Sequence, residues 1–382
     1  MSIIAPGSTI GILGGGQLGR MTAMAARTMG YRVHVLDPDA ECAASSVADR
    51  VVAAAFDDTD AAADLAKHCA VVTLEIEQIG VEALAAAMRH APVRPGPAVL
   101  AVIQDRSKQK QWLAKGGFPV GPYRDVTTAG ELAAAARELG SATGGLFVKA
   151  TRGGYDGRSQ ARMAGAGEAD ATWASLGGRP AVAEQGLDLE SEISVMVARR
   201  PSGEIRVYPP SLNFHERQTL AWSVTPAPLD DAVRTRAEAI ARGIAEAFAL
   251  EGILAVELFV LRDGRLLVNE LAPRPHNSFH QTEVACATSQ FEQLVRAVCD
   301  LPLGDPRVLR PGAIFNLFGE LWRDGEPRFE LALALRGVRL HLYGKRGARA
   351  GRKMGHLSAT GETGEDALNQ VLAAAAALGA EQ

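Results

Sequence analysis

Two glutamates occupy facing positions of a hairpin in the second half of the chain. Two apolar runs of strand length flank Asp263-Gly264, the strongest short hairpin signal, and a two-residue turn there pairs Glu257 with Glu270. Like charges held roughly 4.5–5.5 Å apart repel each other. A cation or a hydrogen bond could relieve the repulsion, the register could slip, or a divalent metal could bridge the pair with Asn269 beside it. Magnesium prefers one or two carboxylates plus phosphate oxygens, so the metal interpretation indicates nucleotide chemistry.

A lysine at the end of a short strand precedes a glycine-rich segment. Leu146-Phe147-Val148-Lys149 reads as the strand, and residues 152–160 contain three glycines within five positions. The amides of such a loop can wrap phosphates, and Lys149 adds a point charge. A flexible hairpin tip is the alternative. Residues 182–187 then have the form of a strand that leaves for a linker, whose main chain could bind a purine while Glu184 or Glu192 reaches the sugar.

Polar and basic side chains follow the carboxylate hairpin. Arg274-Pro275-His276-Asn277-Ser278 comes directly after it, so these side chains should lie near the metal, although a lone histidine is more often structural. Near the C-terminus, glycines separate Lys345, Arg346, Arg349, Arg352, Lys353 and His356. A solvated basic loop is the usual explanation for such a run. Glycines between the cations also suit a loop that closes over a phosphate.

A third glycine-rich segment lies near the N-terminus. Residues 14–19 follow a strand, open a helix and satisfy the dinucleotide pattern G-x-G-x-x-G, with Asp37 where a ribose-binding acid would sit. In physical terms the pattern implies less than a dinucleotide site. Its glycines permit a tight turn, and the helix N-terminus offers amides to an anion. The pattern is compatible with three interpretations: a dinucleotide site, a site for another phosphorylated or anionic ligand, and a turn with no ligand.

Composition and size limit the class of protein that carries these groups. The chain has 382 residues, of which 47% are hydrophobic and 22% charged, and its formal net charge of −4 gives no general nucleic-acid footprint. Its start does not have the pattern of a signal peptide, no uninterrupted apolar run reaches the length that a membrane helix needs, and its four cysteines are scattered without metal-site spacing. We therefore expect a cytoplasmic protein with buried free thiols that binds neither membrane nor nucleic acid.

The elements that must position these groups follow from hydrophobic periodicity. Strand-like and helix-like segments alternate through the first hundred residues, which indicates a parallel sheet covered by helices. The predicted elements there are strands at 9–13, 31–36 and 71–76 and helices from about 17 and at 59–68 and 81–89. Prolines at 92–97 suggest a boundary. Helices are also predicted at 107–115, 129–139, 230–249 and 365–378, with strand hairpins across 183–271.

Taken together, these segments resemble the ATP-grasp superfamily, and within it the 5-(carboxyamino)imidazole ribonucleotide synthase family of purine biosynthesis. The similarity runs from about Ile10 to Leu357. The elements that carry it are 14–20 with Gln17, Thr73-Leu74-Glu75-Ile76-Glu77, Asp105-Arg106, 153–160, 269–278 and 351–357. The resemblance implies an α/β and α+β chain with a Rossmann-like domain (1–105), an ATP-grasp domain (106–310, with a subdomain at about 118–182 and a sheet at about 183–300) and a β-rich C-terminal domain (311–382).

The resemblance also implies a reaction. Bicarbonate attacks the γ-phosphate of ATP, and the resulting carboxyphosphate delivers carbon dioxide to the amine of 5-aminoimidazole ribonucleotide. A homodimer that uses Mg²⁺ is implied as well. The implied ATP contacts are Arg106, Lys149, Gly154, Tyr155, Asp156, Gly157, Arg158, Ser159, Gln160, Glu184, Gln185, Gly186, Leu187, Glu192, His215, Asn269 and Glu270. Magnesium would take Glu257 and Glu270. The implied ribonucleotide contacts are Gln17, Glu75, Glu77, Arg274, His276, Asn277, Lys345, Arg352 and Lys353, and the implied catalytic residues are Tyr155, Asp156, Arg158 and Lys345.

Four positions depart from the family pattern, and three other functions compete. Ala150 replaces a second basic residue, Ser159 and Phe279 replace glycines, and Ala350 replaces a proline. These departures concern loop mobility and fine substrate contacts rather than the reaction class. The competing functions are a related enzyme that activates formate and acts on glycinamide ribonucleotide, a nucleotide-sensing protein without activity, and an NAD oxidoreductase. Residues 153–160 and 351–357 favour the carboxylating enzyme.

Overall fold

The computed structural model describes residues 3–140, 144–153 and 159–380, which form three sheets with helices packed on them. The strands are β1 Thr9–Leu13, β2 Arg32–Asp37, β3 Arg50–Ala53, β4 Val71–Leu74, β5 Tyr123–Val126, β6 Leu146–Ala150, β7 Gln160–Met163, β8 Ala181–Gln185, β9 Leu189–Arg199, β10 Ile205–Val207, β11 Ser211–Glu216, β12 Thr219–Thr225, β13 Gly252–Leu261, β14 Leu266–Ala272, β15 Gly312–Phe318, β16 Arg339–Leu342 and β17 Lys353–Thr360.

Helices connect these strands and cover the sheets. They are α1 Gln17–Thr28, α2 Thr59–Lys67, α3 Val81–Met88, α4 Pro97–Ile103, α5 Arg106–Lys115, α6 Ala129–Leu139, α7 Ala169–Ser175, α8 Asp231–Ala247, α9 Thr282–Ala285, α10 Gln290–Val298, α11 Phe329–Leu333 and α12 Gly364–Ala377. Within residues 3–140, 144–153 and 159–380, no helix is long and apolar enough to cross a membrane.

The N-terminal sheet is parallel in the order β3-β2-β1-β4, as the alternating periodicity predicts. The sequence did not reveal β3, a short strand whose side chains are half-buried or exposed and therefore lack an apolar run. It did not reveal α4 either. The prolines that suggested a boundary include Pro97, which opens this helix at a position where its missing N–H costs nothing.

A central antiparallel sheet runs in the order β14-β13-β9-β11-β12-β15-β17-β16, with β10 paired to β9. Helix α8 covers one face, because its buried Ala237, Ala241 and Ile244 pack against alternate residues of β9 and β13. Strands β15–β17 of the C-terminal segment continue the same sheet through β12 rather than forming a separate one. A smaller antiparallel sheet in the order β5-β8-β6-β7 lies over the central one, and the mixed architecture implied by the resemblance is confirmed.

The opposite face of the central sheet is only partly covered. Odd-numbered residues of β13 point to this face, and Ile253 and Ala255 pack with α10 in a core that the N-terminal sheet shares. The next two odd-numbered residues, Glu257 and Phe259, line a cavity instead. Helix α10 therefore covers β13 up to Ala255 and leaves Glu257 uncovered. The carboxylate of Glu257 is accessible to a ligand from the cavity.

Candidate active site

A cavity of about 820 Å³ lies between the N-terminal sheet, the small antiparallel sheet and the open face of the central sheet. Most of the predicted site residues line it. Those that do are Arg106, Lys149, Gln160, Glu184, Gln185, Leu187, Glu192, His215, Glu257, Asn269, Glu270, Glu77, Arg274, His276, Asn277 and Lys353. Gly154, Tyr155, Asp156, Gly157 and Arg158 lie outside the described residues, so their assignment stays a prediction. Ser159, Gly186, Gln17, Glu75, Lys345 and Arg352 do not line the cavity.

The carboxylate hairpin has the predicted pairing but not the predicted turn. Glu257 lies directly opposite Glu270, as expected. The turn is nevertheless a three-residue loop, since Leu261 pairs with Arg265 and Gly264 takes a positive φ of 76°. A β-bulge at Asn269 restores the register beyond the turn. The prediction of a two-residue turn was wrong. A three-residue loop shifts the strand pairing by one residue, and the extra residue of the bulge shifts it back, so Glu257 still faces Glu270.

The bulge also shapes the site. Successive strand residues normally point to opposite faces, yet both Asn269 and Glu270 line the cavity with Glu257. The Asn269 amide nitrogen donates to Oε2 of Glu257 at 3.3 Å, and its carbonyl oxygen accepts from Nζ of Lys149 at 3.3 Å. Asn269 therefore links the carboxylate pair to the strand lysine.

Each carboxylate of the pair already has a cationic or polar partner. Nη1 of Arg106 lies 2.9 Å from Oε2 of Glu270, and Nε2 of His276 lies 3.2 Å from Oε1 of Glu257. Burial alone would raise the pKa of Glu257, but His276 and other nearby cations hold that pKa below its usual value. Glu257 is consequently ionised. The alternative of a cation or hydrogen bond is realised, and it does not exclude a metal, because the two oxygens of an ionised carboxylate together offer about four lone-pair sites.

A buried charge cluster holds Lys149 in place. Nζ of Lys149 and Nζ of Lys110 each lie 3.3 Å from Oε2 of Glu184. Burial lowers the pKa of Lys110, while the two lysines lower the pKa of Glu184 against the effect of its own burial. Glu184 thus fixes two ammonium groups, of which that of Lys149 lines the cavity.

Sequence reasoning missed Lys110. The signal was its spacing, because Lys110 follows Arg106 by four residues and so lies on the same face of α5. The adjacent Gln109 fixes that face, since its side-chain oxygen accepts from the amide of Leu271 at 3.2 Å. Helix α5 is therefore anchored to the strand that carries Glu270.

The structure describes the two ends of the glycine-rich loop that was predicted to bind phosphate. Ser159 takes a φ of 65°, a left-handed conformation in which glycine has no steric penalty, which explains why glycine is the expected residue there. At the other end, Arg152 pairs with Asp105 at 3.1 Å. The side chain of Gln160 donates to Gln218 at 2.7 Å, so the exit of the loop is tied to the β11–β12 turn. Arg152, Gly153 and Gln160, at the two ends of the loop, line the cavity.

The other departures from the family pattern also have structural settings. Phe279 is fully buried and packs edge-on against Tyr208 with ring centroids 6.1 Å apart. Ala150 is buried at the end of β6, where a charged side chain would need a partner. Ala350 is exposed in the turn before β17.

Residues after β14 form the far wall of the cavity. Nε of Arg274 pairs with Oε2 of Glu77 at 2.7 Å, which joins this wall to the N-terminal sheet. Asn277 is 7% exposed, lines the cavity, and within the described part of the chain both its Nδ2 and Oδ1 lack a hydrogen-bond partner. A buried amide without partners costs roughly 1–3 kcal/mol, so a ligand that satisfies it gains that free energy on binding.

Three amides of the N-terminal glycine turn bond to the protein's own carboxylates. The carboxylate of Glu75 accepts from the amides of Gly16 at 2.9 Å and Gly19 at 3.1 Å, and Asp37 accepts from Gly15 at 2.7 Å. The protein's own carboxylates therefore occupy the anion position at the start of α1. Of the three interpretations of this pattern, the structure favours turn geometry.

The buried Glu75 gives a testable pH dependence. Burial raises its pKa from 4.5 to about 7 despite the two amide hydrogen bonds. The folded chain then binds a proton that the unfolded chain releases between these values, so the contribution of Glu75 to stability is complete below pH 4.5 and lost as pH rises through 7. We expect wild type to lose stability relative to Glu75→Gln across this window, by up to about 1.4 kcal/mol per pH unit. Urea unfolding at several pH values measures this, and parallel profiles for the two proteins would contradict it.

The basic C-terminal loop contacts the N-terminal sheet domain. Nζ of Lys345 donates to Oε1 of Gln17 at 2.6 Å, and Arg346 pairs with Glu41. Arg352 donates to the backbone oxygens of Arg346 and Gly347, so its guanidinium holds the loop together. Lys353 lines the cavity. The loop is thus not merely solvated, although only one of its predicted phosphate contacts reaches the cavity.

Comparison with known proteins agrees with this geometry. Residues 7–104 match the ribonucleotide synthetase preATP-grasp domain, residues 111–291 the ATP-grasp domain, and residues 312–370 the phosphoribosylaminoimidazole carboxylase C-terminal domain. The fold and the site define an ATP-grasp enzyme, an ATP-dependent ligase.

Individual relatives identify the family within the ATP-grasp enzymes. The chain is 43% identical over 357 residues to N5-carboxyaminoimidazole ribonucleotide synthase of Brucella melitensis, which covers 93% of this chain and 97% of the relative, and 40% identical to that of Bacillus subtilis, with 93% and 92% covered. An ADP complex of N5-carboxyaminoimidazole ribonucleotide synthetase superposes with a TM-score of 0.91 at 40% identity and 97% coverage of both chains. An Aspergillus clavatus synthase in complex with ADP and 5-aminoimidazole ribonucleotide gives 0.87 at 30% identity, with 97% and 98% covered. The chain belongs to the N5-carboxyaminoimidazole ribonucleotide synthase family of purine biosynthesis.

Proposed function

We propose that the cavity binds ATP, Mg²⁺ and 5-aminoimidazole ribonucleotide together and carboxylates the ribonucleotide with bicarbonate. The observation that carries this proposal is the meeting of three groups in one cavity. These are the facing pair Glu257 and Glu270, Lys149 at the entrance of the glycine-rich loop, and the amide of Asn277, which has no hydrogen-bond partner among the described residues. The first two suit a metal–nucleotide, and the third offers a donor and an acceptor to a second, polar ligand.

The chemistry balances as two transfers. An oxygen of bicarbonate forms a bond to the γ-phosphorus while the bond from that phosphorus to the bridging oxygen of ADP breaks. Carboxyphosphate then loses phosphate, and the carbon dioxide released forms a C–N bond with the amine, which gives up a proton. Catalysis of phosphoryl transfer depends mostly on positioning and on electrostatic stabilisation of the transition state. The protein must therefore mainly hold the reacting groups in place and neutralise their charge.

The donor set fits magnesium. Glu257 and Glu270 supply carboxylate oxygens from facing strand positions, and Asn269 adds an amide beside them. A hard cation with oxygen ligands suits this set, and such an ion would neutralise charge on the β- and γ-phosphate oxygens. Arg106 adds a fixed positive charge 2.9 Å from Glu270, at the side where phosphates would enter.

The residues that line the cavity fall into two proposed sets, one for each large substrate. For ATP we propose Arg106, Lys149, Gln160, Gln185, Leu187, Glu192 and His215 as contacts, with Nδ1 of His215 held 3.0 Å from Oε2 of Glu192. Glu184 would act through Lys149. For the ribonucleotide we propose Glu77, Arg274, His276, Asn277 and Lys353. Gly154–Arg158 would complete the site between them, with Tyr155, Asp156 and Arg158 as catalytic residues.

A comparison of ADP release with two different pairs of co-substrates tests the proposal. Purified protein should release ADP with ATP, bicarbonate and 5-aminoimidazole ribonucleotide, and the release should depend on the ribonucleotide. Formate with glycinamide ribonucleotide is the matched comparison, because the rival enzyme shares the metal hairpin and the phosphate loop. ADP release only with the second pair would replace the proposed function.

Lys149 is expected to contribute to ATP affinity. Its ammonium is fixed by Glu184 and Asn269 at the entrance of the phosphate loop. Loss of one charge-assisted contact should weaken ATP binding in Lys149→Ala by about 1.5–3 kcal/mol. Isothermal titration with ATP and Mg²⁺ measures this change. Lys115→Ala at the exposed end of α5 is the matched control and should bind ATP as wild type does; equal affinity of both variants would move the phosphate site elsewhere.

The cellular setting is also proposed from the family resemblance. A homodimer in the cytoplasm would have direct access to ATP and to the ribonucleotide. Sedimentation equilibrium of the purified chain tests the first part, since a mass of one chain at micromolar concentration would contradict it.

A further inference from the structure

A second group of metal-ligating side chains lies away from the carboxylate pair. Glu283, His341 and His356 each offer one ligand atom, and these atoms lie within 4.8 Å of one another. The three residues come from α9 and from the adjacent strands β16 and β17. None of them lines the cavity, and none has a role in the proposed reaction.

The geometry of this group suits a tetrahedral ion. Nδ1 of His341 lies 3.7 Å from Oε2 of Glu283, while two ligands of a tetrahedral ion at 2.0–2.1 Å are roughly 3.4 Å apart. The rings of His341 and His356 face each other across paired strand positions, with centroids 5.1 Å apart. Small side-chain rotations would therefore bring the three ligand atoms to a common centre. The side chains of Glu283 and His341 are 32% and 20% exposed, so an ion can reach them.

The surrounding groups prepare the histidines as ligands. Oη of Tyr343 lies 2.8 Å from Nδ1 of His356, a contact that leaves Nε2 of this ring for a metal. Burial lowers the pKa of both His341 and His356, and Arg20 lowers that of His341 further. Burial raises the pKa of Glu283 to about 7, and Arg339 acts against that rise.

We propose that Glu283, His341 and His356 form a binding site for a borderline divalent transition ion such as Zn²⁺. Two imidazoles and one carboxylate are a ligand set that zinc takes together with one water, whereas magnesium favours oxygen ligands. An ion bound here would join α9 to β16 and β17. Strand β17 begins with Lys353, which lines the cavity, so the ion would brace the wall behind the proposed ribonucleotide pocket.

Cobalt titration tests this site independently of the ligase activity. Co²⁺ is added to the full chain in excess Mg²⁺, which occupies the carboxylate pair, and the visible d–d absorption of four-coordinate cobalt is followed. We expect wild type to bind one equivalent per chain, and Zn²⁺ to displace it. His341→Ala, on the partly exposed strand β16, should weaken binding at least tenfold, and Glu283→Gln should weaken it as well.

His90→Ala is the matched control, because His90 is an exposed histidine after α3 in the N-terminal domain. This variant should keep the wild-type isotherm. Absence of the cobalt spectrum in wild type, or the same isotherm in wild type and His341→Ala, would overturn the proposal. In that case the histidines are an aromatic packing cluster, in which His280 stacks on His356 at 4.7 Å.

Discussion

Glu270→Gln is expected to reduce ATP-dependent carboxylation by at least about 10²-fold. The amide keeps the volume of the side chain but removes one of the two negative charges that would hold the metal. The fold should persist, because the glutamine oxygen can still accept from Arg106 across the 2.9 Å contact. Steady-state ADP release at ordinary Mg²⁺ concentration, with both other substrates present, measures the loss.

Glu190→Gln is the matched control for this variant. Glu190 is an exposed glutamate on β9 of the same sheet, and it does not line the cavity. It should retain wild-type turnover. Full activity of Glu270→Gln would contradict the role of the facing carboxylates, and a loss that excess Mg²⁺ restores would show that the variant weakens metal binding without removing the site.

Glu184→Ala is expected to destabilise the folded chain by about 3–5 kcal/mol. The substitution leaves the buried ammonium groups of Lys110 and Lys149 close together without their shared carboxylate. Lys110 is 3% exposed, so its ammonium depends on protein partners rather than on bulk water. Urea unfolding followed by circular dichroism measures the change in free energy.

A second substitution separates charge from packing. Glu184→Ala combined with Lys110→Met removes the uncompensated buried cation and keeps an unbranched side chain of similar length. The double variant should regain at least half of the stability lost in Glu184→Ala. If it is as unstable as the single variant, lost packing rather than an unpaired charge explains the effect.

The positions of several site residues could be predicted because local patterns determine them. The pairing of Glu257 with Glu270 follows from a short hairpin between apolar runs, and Lys149 follows from a strand that enters a glycine-rich loop. The length of the turn could not be predicted, since Arg262-Asp263-Gly264-Arg265 suits both a two-residue turn and a three-residue loop with glycine in the left-handed region. Only packing against neighbouring strands selects the bulge.

Long-range contacts explain what sequence reasoning missed. Lys110 joins the buried charge cluster through Glu184, 74 positions away, and three amides of the turn at 14–19 are bonded because Asp37 and Glu75 fold onto it. The resemblance suggested Glu75 as a ribonucleotide contact, and that role stays a prediction. Similarly, the spacing of Arg352 between glycines indicated a phosphate contact, but only the folded loop shows that its guanidinium donates to Arg346 and Gly347.

Transfer of oxygen from bicarbonate to phosphate tests the central claim most directly. The reaction is run with ¹⁸O-labelled bicarbonate, ATP and 5-aminoimidazole ribonucleotide, for times shorter than the exchange of bicarbonate oxygen with water, and the phosphate is analysed by mass spectrometry. If bicarbonate attacks the γ-phosphorus, each phosphate formed carries one labelled oxygen. Unlabelled phosphate, with product still formed, would contradict the account.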